Sequence, residues 1–383
     1  MKKKLVSLIL ALFFLVSSCA LPSQALEQIP DFDVEAKSAI LMEASSGTAL
    51  YEKNADEALS PASVTKIMTL LLVMEEIEAG RLSLSDTVTA SAYATSMGGS
   101  QIYLKEGEQM SVEDMLKSVV IASANDAAVA LAEHICGSEE SFVRRMNERA
   151  RELGMMNTNF ENTNGLDDTA TNHVTSARDI AIMSRELIKH KKILEYSSTW
   201  MDTVRDGAFG LTNTNRLVRF YKGANGLKTG STSKAGFCIS ATADRDGMTL
   251  IAVIMGSPTR DVRNREATRL LDMGFSGYSL YTSDEEDLGT IPVKKGELRE
   301  CRIIKPSFSC LVDNSKKGSV QSEIKLLDSL SAPVREGDVA GRVIYRCGDE
   351  IVGEADIICA QSVKKLAFWS FIGEIFAKCL LLK

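Results

Sequence analysis

Ser63 and Lys66 are the residues whose types and spacing most suggest chemistry. They lie in Leu59-Ser60-Pro61-Ala62-Ser63-Val64-Thr65-Lys66, directly before the apolar run Ile67 to Val73. Pro61 sits where a helix would begin, so both residues should fall in the first turns of a buried helix running to about Ala79, where Gly80 stops it. A spacing of three puts the two side chains on one face, with Cβ atoms roughly 5–6 Å apart. An amine at that distance can deprotonate a hydroxyl, but only if the lysine is neutral. Its ordinary pKa is about 10.4, so burial or a neighbouring positive charge must lower it. An isolated S-x-x-K is more often a solvated pair on an ordinary helix, so the pair gains weight only from other motifs in the chain.

Two such motifs lie downstream. Ile121-Ala122-Ser123-Ala124-Asn125-Asp126 succeeds a helical segment, Ser111 to Val120, that begins on an N-cap serine with Glu113 and Asp114 in its first turn. Ser123 and Asn125 cannot share a helix face, but a bend between two helices lets both point into one cleft. Read alone, the same residues are a capping motif. Gly226-Leu227-Lys228-Thr229-Gly230-Ser231-Thr232 precedes two strands, Gly236 to Ala243 and Met248 to Met255, joined by an Asp246-Gly247 turn. Lys228 and Thr229 alternate on a strand, and Gly230 lets a ligand or helix approach the backbone.

Taken in order, S-x-x-K, S-x-N and K-T-G form the signature of serine penicillin-binding proteins and β-lactamases. Pro61-Ala62-Ser63-Val64-Thr65-Lys66, the Asn164-Gly165-Leu166 turn, Thr175-Ser176-Ala177-Arg178-Asp179 and Leu270-Leu271-Asp272-Met273-Gly274-Phe275 extend the agreement. Over roughly residues 30–383 the chain resembles the low-molecular-mass D-alanyl-D-alanine carboxypeptidases. Physically, Ser63 is the candidate nucleophile and Lys66 its base, since no G-x-S-x-G occurs and the three histidines are poorly placed for a triad. Lys228 would help keep Lys66 neutral, Ser123 could relay a proton to the leaving amine, and Asn125 could hydrogen-bond the substrate amide. The resemblance implies an oxyanion hole from the amides of Ser63 and Ser231. It also implies that Lys228, Thr229 and an arginine further on, Arg263 with Arg265 as close competitor, hold the terminal carboxylate beside Gly230. β-Lactam antibiotics are the implied inhibitors. A class A β-lactamase would also need a glutamate in an E-x-x-L-N context, and none lies between Ser123 and Lys228. The rivals are a β-lactamase and a catalytically silent envelope scaffold.

Composition sets outer bounds. The 383 residues are 45% hydrophobic and 25% charged, a globular balance with room for two domains. Net charge is −7, and removing Lys2, Lys3 and Lys4 takes it to −10, which argues against nucleic acid as a partner. His134, His173 and His190 form no metal-ligand pair with a nearby Cys or His, so neither metal nor other cofactor is expected. His173 is expected to cap the helix after it. Lys2 to Lys4, the apolar Leu5 to Val16 and Ser23-Gln24-Ala25 read as a signal peptide over residues 1–25, so export is expected. Val16-Ser17-Ser18-Cys19 offers a lipoprotein reading in its place. The remaining cysteines look like no disulfide framework, although Cys301 and Cys310 could bridge a hairpin.

The expected fold is α+β. A DD-peptidase-like catalytic domain over residues 27–285 has a central antiparallel sheet with helices on both sides, opening on a hairpin across 34–52. A small β-sandwich-like, all-β domain of short strands covers 287–362. Over residues 363–383 the apolar face from Leu366 to Leu382 carries a narrow stripe of Ser370, Glu374 and Lys378. That predicts an amphipathic helix on the membrane surface, flanked by Lys364, Lys365 and Lys383. The combined expectation is an exported serine peptidase at the outer face of the cytoplasmic membrane, removing the terminal D-Ala of peptidoglycan pentapeptides.

Overall fold

The computed structural model describes residues 32–167 and 170–366. The signal peptide with Cys19, and the predicted tail helix from residue 367 on, lie outside these residues. Five antiparallel strands form the central sheet: β1 (Ser38–Glu43), β2 (Ala49–Lys53), β3 (Ala224–Thr232), β4 (Gly236–Arg245) and β5 (Met248–Ser257), in the order β2-β1-β5-β4-β3. The first and last of these strands in the chain meet at the centre of the sheet, where Ala39 pairs with Ile254 and Leu41 with Ala252. Strand β3 is an edge, which leaves the K-T-G segment one free side.

Both faces of the sheet are covered, as strands that are apolar on both sides require. On one face Ile40, Met42, Ile251, Val253 and Met255 join a core with helix α1 (Lys66–Glu78) and helix α5 (Ala177–Leu187). The core also takes in α2 (Val112–Ile121), α3 (Asn125–Cys136) and α4 (Glu139–Glu152). On the other face lies α6 (Arg260–Gly277), packed so closely that a Cβ at Gly274 would meet Leu250 at 2.5 Å and Leu41 at 2.8 Å. Local sequence sets the helix ends. Ser111 Oγ accepts from Asp114 N at 3.1 Å at the start of α2, and Ser176, not His173, caps α5 by accepting from Asp179 N at 3.1 Å.

The carboxy-terminal part is all β. Six strands run Val320–Leu326, Val339–Cys347, Glu350–Cys359, Glu300–Lys305, Glu286–Lys294, Leu330–Ser331 across one sheet, and Tyr278–Ser283 pairs with Phe308–Asp313 beside it. Ile303, Val343, Tyr345 and Ile357 fill its core, and Phe308 stacks on Tyr345 at 4.1 Å. Cys301 and Cys310 are free thiols and do not bridge: Cys310 pairs with Tyr281 in the two-stranded sheet, while Cys301 belongs to the core of the larger one. The start of the expected tail helix is also different. Val363 bridges Val334 and Lys365 bridges Gly296, so the chain is still extended against the β domain there.

Candidate active site

The turn carrying Ser63 is tighter than the sequence pattern suggests. Ala62–Thr65 is a single 3-10 turn after Pro61, and the α-helix begins only at Lys66. The spacing still brings the two groups together. Lys66 Nζ lies 3.0 Å from Ser63 Oγ, 2.5 Å from Asn125 Oδ1 and 2.8 Å from the Asn164 carbonyl oxygen. Lys66 is completely buried. Burial first, and the charge of Lys228 second, push its pKa well below the ordinary lysine value, against an opposing pull from Asp126. A neutral amine has two N–H donors and one lone pair. Asn125 Oδ1 and Asn164 O take the two donors, which leaves the lone pair to accept from the Ser63 hydroxyl.

Ser123 occupies the corner between α2 and α3, at φ +65°, a conformation that turns the chain sharply and brings Asn125 to Lys66. The Asn125 carboxamide is held at both ends, since its Nδ2 donates to Gly98 O at 2.7 Å. That bond uses one of the two N–H groups of the amide. Its backbone N donates to Ser100 O at 2.7 Å. Next to it Asp126, wholly buried, accepts from Ile102 N at 3.2 Å and Leu104 N at 3.0 Å. The segment 98–104 is thereby fixed along the mouth of the cleft.

The opposite wall is strand β3. Lys228 is buried, with Nζ donating to the Thr229 carbonyl at 3.0 Å, and burial together with the Arg263 charge brings its pKa down to about 7. Thr229 Oγ1 donates to Thr214 Oγ1 at 2.9 Å. At Gly230 a Cβ would lie 2.6 Å from the Ser63 backbone N, so only glycine allows the strand this close to the turn carrying Ser63. Ser231 follows, exposed at the cleft. Of the two arginines left open by the sequence, Arg263 is the one at this wall. It is buried, its Nη1 donates to Cys238 O at 3.4 Å, and Cys238 pairs with Gly230. Burial lowers its pKa to about 10. Arg265 instead turns outward to Glu35 and Glu266, at 2.7 and 2.9 Å.

Several residues that build the site lie outside the S-x-x-K, S-x-N and K-T-G motifs. Gly165, at φ +83°, packs its Cα against the Ser63 turn, where a Cβ would fall 1.8 Å from Ala62 O. His173 supports the same turn from behind: Nδ1 accepts from Glu161 N at 3.0 Å, so Nε2–H donates to Thr65 Oγ1 at 2.8 Å, and Thr65 Oγ1 donates to Ala62 O. Burial holds His173 at about 4, neutral at pH 7. The glutamate nearest in sequence to the Asn164-Gly165 turn, Glu161, is exposed and accepts from Asn172 N at 3.0 Å, away from Ser63. Among the described residues no cluster of His, Cys, Asp or Glu could hold a metal ion.

A serine hydroxyl facing a neutral lysine, beside a lysine-bearing sheet edge, defines a class of proteins able to form an acyl ester without histidine or metal. Residues 23–259 match the family described as D-alanyl-D-alanine carboxypeptidase, and residues 275–365 match penicillin-binding protein 5, C-terminal domain. The chain belongs to the D-alanyl-D-alanine carboxypeptidase family. It is 40% identical to D-alanyl-D-alanine carboxypeptidase DacF of Bacillus subtilis, over 97% of each chain. Its structure is similar to that of penicillin-binding protein 5 from Haemophilus influenzae, with TM-score 0.78 at 30% identity, covering 88% of this chain and 100% of that one. It is also similar to penicillin-binding protein D2 of Listeria monocytogenes in an ampicillin-bound form, with TM-score 0.59 at 32% identity, covering 64% of this chain and 100% of that one.

Proposed function

We propose that this serine D-Ala-D-Ala carboxypeptidase works through Ser63, and the observation that carries the reading is the environment of Lys66. Nζ is 3.0 Å from Ser63 Oγ while its other hydrogen-bonding capacity is taken by Asn125 and Asn164. Ser63 Oγ attacks the carbonyl of the penultimate D-Ala of a peptidoglycan stem peptide, and its proton passes to Lys66. The negative charge that develops on the carbonyl oxygen is met by the amides of Ser63 and Ser231. The C–N bond then breaks, and the proton is delivered to the departing D-Ala amine through Ser123. Water, deprotonated in turn at Lys66, hydrolyses the ester. Lys228, Thr229 and Arg263 receive the terminal carboxylate, and Asn125 the substrate amide. A β-lactam ring places its amide in the same position, opens on Ser63, and leaves an ester that hydrolyses slowly. The exposed position of Glu161, turned to Asn172, supports a peptidase over a fast β-lactamase.

The protein is proposed to act outside the cytoplasmic membrane after cleavage of residues 1–25, held at the surface by its carboxy-terminal tail. Among the described residues no helix is long and apolar enough to cross a membrane. Mass spectrometry after brief exposure to benzylpenicillin, paired with D-Ala release from a pentapeptide ending in D-Ala-D-Ala, tests the catalytic reading. A stable adduct on Ser63 with D-Ala release is expected. Rapid consumption of penicillin without an adduct would make the protein a β-lactamase, and neither event in a folded sample would leave a scaffold.

A further inference from the structure

A groove of about 700 Å³ lies between segment 102–108 and the turn of the hairpin Met201–Val204 and Phe209–Thr212, and the mechanism makes no use of it. Tyr103 and Phe209 form its aromatic part, with ring centroids 6.4 Å apart in an edge-on arrangement. Tyr103 is 69% exposed, a large ring presented to solvent. Lys105 and Glu106, both exposed, stand at its rim. Its shape is set in advance. The Arg205 guanidinium donates to Ile102 O at 2.8 Å and to Glu108 Oε1 at 2.6 Å, and lies over the Phe209 ring at 5.2 Å.

The groove is tied to the active site by a short length of chain. Gly99 lies against Asn125, whose Nδ2 would be 2.9 Å from a Cβ there, and Tyr103 is four residues further on. Even fully extended, four residues span no more than about 14 Å, so Tyr103 lies within that reach of Gly99. In a peptidoglycan stem, four amino acids likewise separate the scissile carbonyl from the sugar-bearing end, so a stem seated at Ser63 has the length to bring its sugar to Tyr103. An exposed aromatic face with charged hydrogen-bonding groups beside it suits a ring that is apolar on its C–H face and polar at its edge. That is the chemistry of a pyranose.

We propose that this groove receives the disaccharide end of the substrate, with a sugar ring on Tyr103 and its hydroxyls met by Lys105 and Glu106. The proposal rests on the DD-carboxypeptidase reading and deepens it, making the enzyme a reader of glycan-linked stems over free peptides. Tyr103 sits at φ +58°, so Tyr103→Asn removes the ring while keeping a residue that tolerates this backbone, and Tyr103→Phe keeps the ring. D-Ala release would be measured on N-acetylglucosaminyl-N-acetylmuramyl-pentapeptide and on the N-acetylated pentapeptide alone. Tyr103→Asn is expected to raise KM for the disaccharide substrate about three- to tenfold, the range for loss of one aromatic contact. KM for the free pentapeptide, benzylpenicillin acylation, and the Tyr103→Phe values should stay at wild type. An equal rise on both substrates, or no rise on either, overturns the proposal. Saturation-transfer NMR on Ser63→Ala separates this from the catalytic reading, because it needs no turnover. Transfer to the sugar acetyl protons that disappears in Ser63→Ala with Tyr103→Asn supports the groove. Transfer confined to peptide protons rejects it, whatever the fate of Ser63 as nucleophile.

Discussion

Three lysines are buried among the described residues, and the two domains treat them in opposite ways. In the β domain Lys305 is paired: its amine lies 2.7 Å from Glu286, and that hydrogen bond raises its pKa. In the catalytic domain Lys66 and Lys228 are buried with only neutral oxygens as hydrogen-bond partners, in a wall rich in positive charge, and the pKa of both falls. Ordinary folding pressure gives the first arrangement, because a buried ammonium needs a counter-charge. The second costs stability and shifts each lysine toward its neutral form, which at Lys66 suits a base. Arg263, buried beside Lys228, adds a guanidinium to the β3 wall. That local positive charge supports the proposal that a substrate carboxylate is received there.

The two kinds of buried lysine should differ most at Lys66. Lys66→Met keeps the buried length and volume but removes the lone pair facing Ser63. Both D-Ala release and benzylpenicillin acylation should fall by about 10³-fold or more, in line with the loss of a proton-transfer group coupled to the nucleophile. In wild type the acylation rate should decline as pH is lowered, because protonation fills the lone pair. Removing the Lys228 charge eases protonation of Lys66, so Lys228→Met should move that acidic limb to higher pH as well as weakening carboxylate binding. Stopped-flow acylation across pH reads both effects. A limb that stays in place in Lys228→Met would show that burial alone sets the base.

The next largest effect concerns the close packing around Ser63. Gly165→Ala would put a Cβ 1.8 Å from the Ala62 carbonyl oxygen, at a φ of +83°. The turn carrying Ser63 and the Asn164 carbonyl must then separate. A loss of about 3 kcal/mol or more is expected, or roughly 6–12 °C in thermal midpoint, with acylation impaired even in the folded fraction. No glycine of the β domain touches a reacting group, so an alanine at Gly353, where Phe308 would be met at 2.2 Å, should lower stability without changing acylation of the folded protein.

The motif residues are legible in the sequence because their geometry is local. Ser63 and Lys66 are three apart, Ser123 and Asn125 flank one corner, and Lys228 to Ser231 run along one strand. The supports are not legible, because they act across long sequence separations or through the backbone. Asn164 reaches Lys66 with a carbonyl that any residue possesses, from 98 positions away. Thr214 and Asp126 act through hydrogen bonds that no spacing rule anticipates. Arg263 and Arg265, two apart on a helix, point in different directions, and only packing against β4 distinguishes them. His173 suggests a cap because a helix start, Thr175-Ser176-Ala177-Arg178-Asp179, lies just beyond it, whereas burial against Phe160 and Thr65 decides its place.

His173 also predicts a pH dependence of stability. Its ordinary value of 6.5 falls to about 4 in the fold, where it is 3% exposed. The unfolded chain therefore binds a proton more readily than the folded one between these limits. Stability from this group is fully present above pH 6.5 and is lost as pH falls toward 4, by about 3 kcal/mol in total. Urea unfolding of wild type and His173→Gln at about pH 7 and about pH 4.5 isolates it, since the first lies above the window and the second near its lower end. The gap between the two proteins should narrow at the lower pH, and a gap that widens would place the proton elsewhere.

The smallest effect comes from the β domain. Lys305→Met breaks a buried lysine's ion pair, as Lys66→Met removes a buried base, yet the surroundings differ in one respect: Glu286 is 58% exposed. Water takes over the carboxylate once its partner is gone, and the methionine stem fills the space of the lysine stem. The cost should stay under about 1 kcal/mol, within the range of half-exposed pairs. D-Ala release and penicillin acylation should remain at wild type. Because the wild-type pKa is raised, the pair's contribution is present through neutral pH and fades only as pH climbs through the raised lysine value. A thermal midpoint that differs between wild type and Lys305→Met at neutral pH and converges at strongly alkaline pH would identify Lys305 as a structural cation. A change in acylation would instead mean that the β domain reaches into the chemistry of the catalytic one.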